Sequence, residues 1–302
     1  MSERSGRERE LDGVLSKMDK RGQSAMFVTD EDYPVNLKSI PEPPLVLFLQ
    51  GNRSLMRERK FCIVGSRITP PWAEKLGMHI SETLTKRFAI VTGLAEGGDR
   101  AAIEGALPSG KLISVLPNGL DECYPAAHAN LKKKIAEEGL LVTECAPNEK
   151  VKKYSFHARN RILAGLAEGV LVISAGKRSG TLITANDALD YGREVFAFPY
   201  NPGLSQGEGC NGLIKKGACL ASGVEDILES FGINLEKEAE VPLTDEEETL
   251  FAILKECGEA HLLLLAERSG MQVFEVAAHL SSLELKNLAV KSGGNRYSLV
   301  NK

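Results

Sequence analysis

Between Lys60 and Tyr200, short apolar runs alternate with longer stretches that mix apolar and polar residues at helical spacing. The runs lie at 61–64, 89–91, 112–116, 140–142, 170–173 and 195–198. They are rich in β-branched residues and continuous rather than alternating, the pattern of strands covered on both faces. The stretches between them predict helices at about 72–87, 99–107, 130–138, 158–167 and 182–191. Strands regularly separated by helices predict a parallel, doubly wound α/β sheet. Upstream the pattern differs. Residues 1–23 are charged and read as a helix or tail, while Pro34, Pro41, Pro43 and Pro44 punctuate an ordered arm that ends in an apolar strand at 45–49.

Downstream, Glu236, Glu238, Glu240 and Asp245 to Glu248 crowd a short stretch that also holds Pro242. This reads as an acidic linker running into a helix, and Thr244 with Glu247 three residues later has capping-box spacing. The rest of the chain has room for three short helices and a terminal hairpin. The expected division is therefore an N-terminal extension at 1–54, the α/β domain at 55–233, a linker at 234–243 and a small domain at 244–302.

Of 302 residues, 43% are apolar and 26% charged, enough for one large core and a small second one. The net charge of −4 requires any polyanionic partner to meet a local positive patch. Cys62, Cys123, Cys145, Cys210, Cys219 and Cys257 contain no CxxC pair, so they read as reduced thiols of a cytoplasmic protein, with no metal site indicated. No apolar run approaches the roughly 18 residues of a membrane span. The first 21 residues also lack a signal-peptide core, so neither a membrane partner nor export is expected.

Ligands of an open parallel sheet bind beyond the carboxyl ends of its strands. The first strand runs into Gly65-Ser66-Arg67, where a guanidinium can fork onto a phosphate but can equally be a surface charge. The second runs into a glycine-rich turn, Thr92 to Asp99, whose spacing is not that of a dinucleotide fingerprint. The fifth runs into Ser174-Ala175-Gly176-Lys177-Arg178-Ser179-Gly180-Thr181 and then a helix. Strand, glycine-rich loop and helix N-terminus together make an anion site, here with two added cations. A purely structural turn is the alternative. Just upstream, Lys150, Lys152, Lys153, Arg159 and Arg161 interleave with Tyr154, Phe156 and His157. Cations among aromatics suit single-stranded nucleic acid, whose bases stack and whose phosphates pair. Composition alone leaves a solvated basic face as an equal reading.

The sole candidate acid or base is His157, beside the basic stretch, and it reads rather as a positioning or stacking residue. None of the five histidines stands in metal-ligand spacing, and there is no nucleophile elbow. No catalytic residue, metal or cofactor is therefore expected.

Taken in order, Val64-Gly65-Ser66-Arg67, Gly93-Leu94-Ala95, Phe156 with Arg159-Asn160-Arg161, Ser179 to Ala185, Gly192-Arg193 and Cys210 to Ile214 resemble the DprA/Smf family. So does the approach from Asp32-Tyr33-Pro34 through Pro43-Pro44 to Gly51-Asn52. The resemblance spans about 30–233, and residues 262–297 are similar to the family's C-terminal winged-helix module. It implies a doubly wound, Rossmann-like parallel sheet with a small C-terminal winged-helix domain. It further implies a non-enzymatic protein that binds and protects single-stranded DNA, assists RecA loading in natural transformation and recombination, and forms a homodimer.

Carried over by motif, Ser66, Arg67, Gly176, Lys177, Arg178 and the Ser179-Gly180-Thr181 turn are the expected phosphate contacts. Arg159 and Arg161 form a second tier, Asn160 is a candidate to lock the loop, and Phe156 and His157 are the stacking candidates. Five positions depart from the family pattern: Glu96 stands where a cation is usual, Gly98 for an isoleucine, Ile103 for a histidine, Ser174 for an acid and Tyr200 for the glycine of a Pro-Gly pair. The rival is the LOG-type nucleoside-monophosphate phosphoribohydrolases, or simple nucleotide binding on the same scaffold. Their Gly-Thr is followed by a catalytic glutamate, whereas Gly180-Thr181 is followed by Leu182, Ile183 and Thr184. In the small domain, helix, turn at Gly270 and helix could read a DNA groove. No lysine or arginine lies between Met271 and Leu285, which favours a protein-contact or structural role.

Overall fold

The structure, a computed structural model, describes residues 18–152, 154–234, 243–286 and 288–300. The chain divides into two units, 1–232 and 233–302.

The first unit is built on a nine-stranded sheet. Its strands are β1 (Gln23–Phe27), β2 (Val46–Gly51), β3 (Lys60–Gly65), β4 (Ala89–Thr92), β5 (Leu112–Val115), β6 (Leu140–Thr143), β7 (Gly169–Ser174), β8 (Glu194–Ala197) and β9 (Cys219–Leu220). The order is β1-β2-β6-β5-β4-β3-β7-β8-β9. From β6 to β9 all pairings are parallel, as the continuous apolar runs require. β3, β4, β5, β6 and β7 are buried along their whole length. The arm does more than lead into this sheet. β2 pairs antiparallel with β6, and β1 pairs antiparallel with β2, so the arm extends the sheet at one edge. Arg53 fastens it by donating to both carboxylate oxygens of Asp32 at 3.1 and 3.2 Å.

The connecting helices are α2 (Pro71–Leu84), α3 (Gly98–Ala106), α4 (Ala129–Glu138), α5 (Ser155–Leu166), α6 (Thr181–Asp190), α7 (Glu208–Lys215) and α8 (Val224–Ser230), after a single turn α1 (Val35–Lys38) in the arm. α2 starts on Pro71, whose missing N–H is one a helix start leaves unpaired in any case. α2 packs on α3 and α5 packs on α6. The core holds a cluster of Phe61, Phe88, Phe196 and Phe231, in which Phe61 is 5.7 Å from Phe88 and 6.0 Å from Phe231, ring centre to ring centre.

In the second unit, α9 (Asp245–Cys257) is followed by β10 (Glu259–His261), α10 (Leu262–Ser269), α11 (Val273–Leu285), β11 (Ala289–Ser292) and β12 (Arg296–Leu299). The strands form an antiparallel sheet of order β10-β12-β11. The Thr244/Glu247 box caps α9: the Thr244 N–H donates to Glu247 Oε2 (2.9 Å) and the Glu247 N–H to Thr244 Oγ1 (3.3 Å). Leu250, Leu254, Leu265, Val276, Leu280, Leu283 and Tyr297 make its core. The expected linker falls mostly on residues 235–242, and the expected N-terminal helix or tail mostly on 1–17, both outside the described residues. Among the described residues no helix is long and apolar enough to cross a membrane.

Candidate nucleic-acid interface

The chain leaves β3 toward β4 on one side and reaches β7 and β8 on the other, so β3 and β7 flank the topological switch point. Beyond their carboxyl ends the two expected loops meet. The Ser66 N–H donates to Ser174 O (2.9 Å) and to Ser174 Oγ (3.0 Å). The Ser174 hydroxyl also lies 2.9 Å from Ser66 Oγ and 2.7 Å from Thr69 Oγ1. Ser174, where the family pattern has an acid, is thus a small polar knot tying Gly65-Ser66-Arg67 to the start of the phosphate-type loop.

That loop is fixed at its base and open at its tip. The Ala175 N–H donates to Gln206 O (2.9 Å), and Ala175 O accepts from the Gly209 N–H (2.7 Å). Ser179 caps the first turn of α6, its hydroxyl accepting from the Thr181 N–H (3.3 Å), and Asn160 on α5 reaches Gly180 O (3.4 Å). The N–H groups of Lys177, Arg178 and Gly180 donate to no protein atom among the described residues. Open amides at a helix N-terminus favour an anion. Arg67, Lys177 and Arg178 are exposed around them and hold no ion pair among the described residues. The Arg67 guanidinium stands 5.9 Å above the Phe156 ring, which Tyr124 meets edge-on at 5.6 Å. Lys150 and His157 are exposed as well, and Lys153 lies outside the described residues.

The second-tier arginines turn inward. Arg159 Nη1 donates to Val115 O (2.8 Å) at the end of β5, and its guanidinium approaches Asp99 over Gly93. A Cβ at position 93 would overlap both Arg159 Nη1 and Asp99 Oδ2, so only glycine leaves room for the two to meet. Asp99 is only 4% exposed. Burial pushes its carboxyl above the ordinary range, while Arg159, then the amides of Ala95 and Gly65, then Arg67, pull it back. Arg161 is engaged by Glu144, donating to Oε2 at 2.6 Å. The structure thus brings Ser66, Arg67 and residues 176–181 to one place beside Phe156. The hydrogen bonds of Arg159 and Arg161 are made within the protein.

Two residues at the site escape a reading by motif. Asp99 looks like a helix cap, and it does accept from the Ala95 N–H at 3.4 Å, but its main relation is to Arg159. Gly98 N–H donates to Ser66 O (3.1 Å), and a Cβ at 98 would overlap the Gly65 backbone, so the Gly97-Gly98 pair seats α3 against the Arg67 loop. Glu96, the departure of reversed charge, is partnered by His128 and by Arg100 at 3.6 Å, and the His128 contact above all holds its carboxyl below the ordinary range.

Residues 24–232 match the family described as DNA recombination-mediator protein A. The chain is 41% identical over 223 residues to the DNA processing protein DprA of Streptococcus pneumoniae, covering 73% of this chain and 78% of that one. It is 35% identical over 298 residues to protein Smf of Escherichia coli, covering 94% and 80%. Among solved structures, the S. pneumoniae protein superposes with a TM-score of 0.68 at 38% identity, over 74% of this chain and 79% of that one. DNA processing protein A of Helicobacter pylori, whose structure was described for its single-stranded DNA binding mode, superposes with a TM-score of 0.63 at 30% identity, over 69% and 95%. A doubly wound sheet whose switch-point loops carry the family's motifs, matched over more than two thirds of its length, places this chain in the DprA/Smf family of DNA recombination-mediator proteins.

Proposed function

We propose that this protein binds single-stranded DNA through its phosphates at the switch point, without bond chemistry of its own. The observation that carries this reading is the open turn at 176–181, with Arg67, Lys177 and Arg178 exposed around it and holding no ion pair among the described residues, in a chain of net charge −4. Positive charge gathered locally in a chain that is acidic as a whole suits a polyanion. Half-buried Phe156, under Arg67, and exposed His157 beside it at the start of α5 suit bases without sequence preference. Arg159 and Arg161 position the α5 start and the loops around it. The single-stranded DNA described for the H. pylori relative is consistent with this assignment.

By family, the bound strand would be incoming DNA, protected and handed to RecA in the cytoplasm by a homodimer. The second unit is proposed to be a winged-helix module, on its order of helices and strands. Its role is proposed to be protein contact: α11 holds no lysine or arginine, Lys286 just beyond it pairs with Glu247 at 2.6 Å, and Phe274 is 72% exposed. The test is a mobility shift of a labelled oligothymidine, single-stranded and duplex, with and without RecA. Retarded single strand, little retarded duplex and a larger complex with RecA are expected. Release of free base from purine nucleoside monophosphates, with no retarded strand, would favour the phosphoribohydrolase reading instead.

A further inference from the structure

Trp72 is the only tryptophan of the chain and is 44% exposed, although it sits in the first turn of α2 beside the switch point. Its indole is not loose. It stacks on Phe198 at 6.0 Å with 28° between the planes, and meets Tyr200 at 5.0 Å and 55°. Tyr200 is itself fixed, its hydroxyl donating to Ile173 O (2.7 Å) in β7 and its backbone clamped by Asn211 (3.0 and 2.9 Å). Tyr200 stands where the family pattern has glycine, so this aromatic support belongs to this chain and not to the general pattern.

The platform adjoins the phosphate turn by two routes. Thr69, whose hydroxyl is 2.7 Å from that of Ser174, is three residues before Trp72, a span of at most about 11 Å. On the other side the Tyr200 ring lies against Gly207, and Gln206 O accepts from Ala175, which leads directly into the turn. Phe156 opens α5 and Trp72 opens α2, and the doubly wound topology puts these two helices on opposite faces of the sheet. Ile68, four residues before Trp72 in sequence, is also exposed, at 76%.

An aromatic ring held from behind and open in front loses little freedom when a base stacks on it. We infer that Trp72 is a base-stacking platform for a strand whose phosphates occupy the 176–181 turn, so that bases on either side of that turn are held from opposite faces of the sheet. This rests on the single-stranded DNA reading above.

The sole tryptophan makes the test direct. Indole emission of the full chain is followed while oligothymidine is added, alongside a mobility shift of the same mixture. The platform predicts quenching that saturates with the mobility shift. It predicts that Trp72→Leu, which fills the slot but cannot stack, weakens oligothymidine binding by about fivefold to a hundredfold and leaves the salt dependence unchanged. Trp72→Phe should retain most of the affinity. Binding of an oligomer with abasic positions should be the same in wild type and W72L. A purely packing role would weaken both oligomers alike, and that result overturns the proposal. Bound strand with unchanged emission overturns it too, while leaving the phosphate site standing. If no strand binds at all, the underlying reading fails and the platform with it.

Discussion

Replacing Arg159 by glutamine would leave Asp99 buried beneath the site with its main counter-charge gone. The carboxylate is 4% exposed, and burial already holds it above the ordinary range. Removing one partner of a buried pair costs about 3–5 kcal/mol, chiefly as the penalty of the charge left behind. Because Trp72 lies in the first unit, its emission during urea unfolding reports on that unit alone. At roughly 2–3 kcal/mol per molar urea, the midpoint should fall by about 1–2.5 M.

The loss should depend on pH. In wild type the folded Asp99 carboxyl is already raised, so its proton contributes stability below the unfolded value, about 3.9, that is lost as pH rises through the folded value. Without Arg159 the folded value rises further, so the gap between variant and wild type widens toward neutral pH and narrows in acid. The double variant Asp99→Asn/Arg159→Gln removes the stranded charge and should recover most of the loss. A midpoint of R159Q within about 0.3 M of wild type at pH 8, or a gap that does not change with pH, would refute this account of the pair.

Three further outcomes follow. Glu96→Gln keeps an acceptor for His128 but removes a negative charge next to the Arg67 loop, and should tighten single-strand binding about twofold at low salt, read by anisotropy. In the second unit, Lys286 and then Ser282 hold the Glu247 carboxyl down at about 2, so this contact contributes stability above the unfolded value that is lost as pH falls toward 2. Lys286→Met should therefore speed amide exchange in α9 and α11 at pH 7, with the difference from wild type shrinking between pH 5 and pH 2. A chain ended after Gly232 should bind oligothymidine within about twofold of the full chain, whereas a drop of tenfold would place part of the grip in the second unit.

The sheet was legible because its strands are continuous apolar runs bounded by glycines, and the six expected strands are β3 to β8. Of the arm's two strands, the apolar run at 45–49 was legible and is β2, whereas β1 was not. β1, Gln23–Phe27, mixes polar and apolar residues and is only partly buried, so nothing in its composition announces that it joins the sheet. The loops of the site were legible as motifs, but the direction of each side chain was not. Arg159 sits in a basic, aromatic stretch that reads as a DNA face, yet a helical turn aims it at Val115 O and Asp99. Helical register to that accuracy depends on where α5 begins. Trp72 was hidden for the opposite reason: an aromatic residue opening an amphipathic helix reads as core, and its exposure is set by Phe198 and Tyr200, more than 120 residues away in sequence.

The salt dependence of single-strand affinity tests the central claim most directly. Arg67, Lys150, Lys177 and Arg178 are exposed and without an ion pair among the described residues. Three to four phosphate contacts give a log–log slope of about −2 to −3, a loss of roughly 20- to 50-fold between 50 and 200 mM salt. The triple variant Arg67→Ala/Lys177→Ala/Arg178→Ala should bind more weakly and flatten that slope by about 2. A wild-type slope near zero, or a triple variant with the wild-type slope, would contradict a phosphate grip at the switch point.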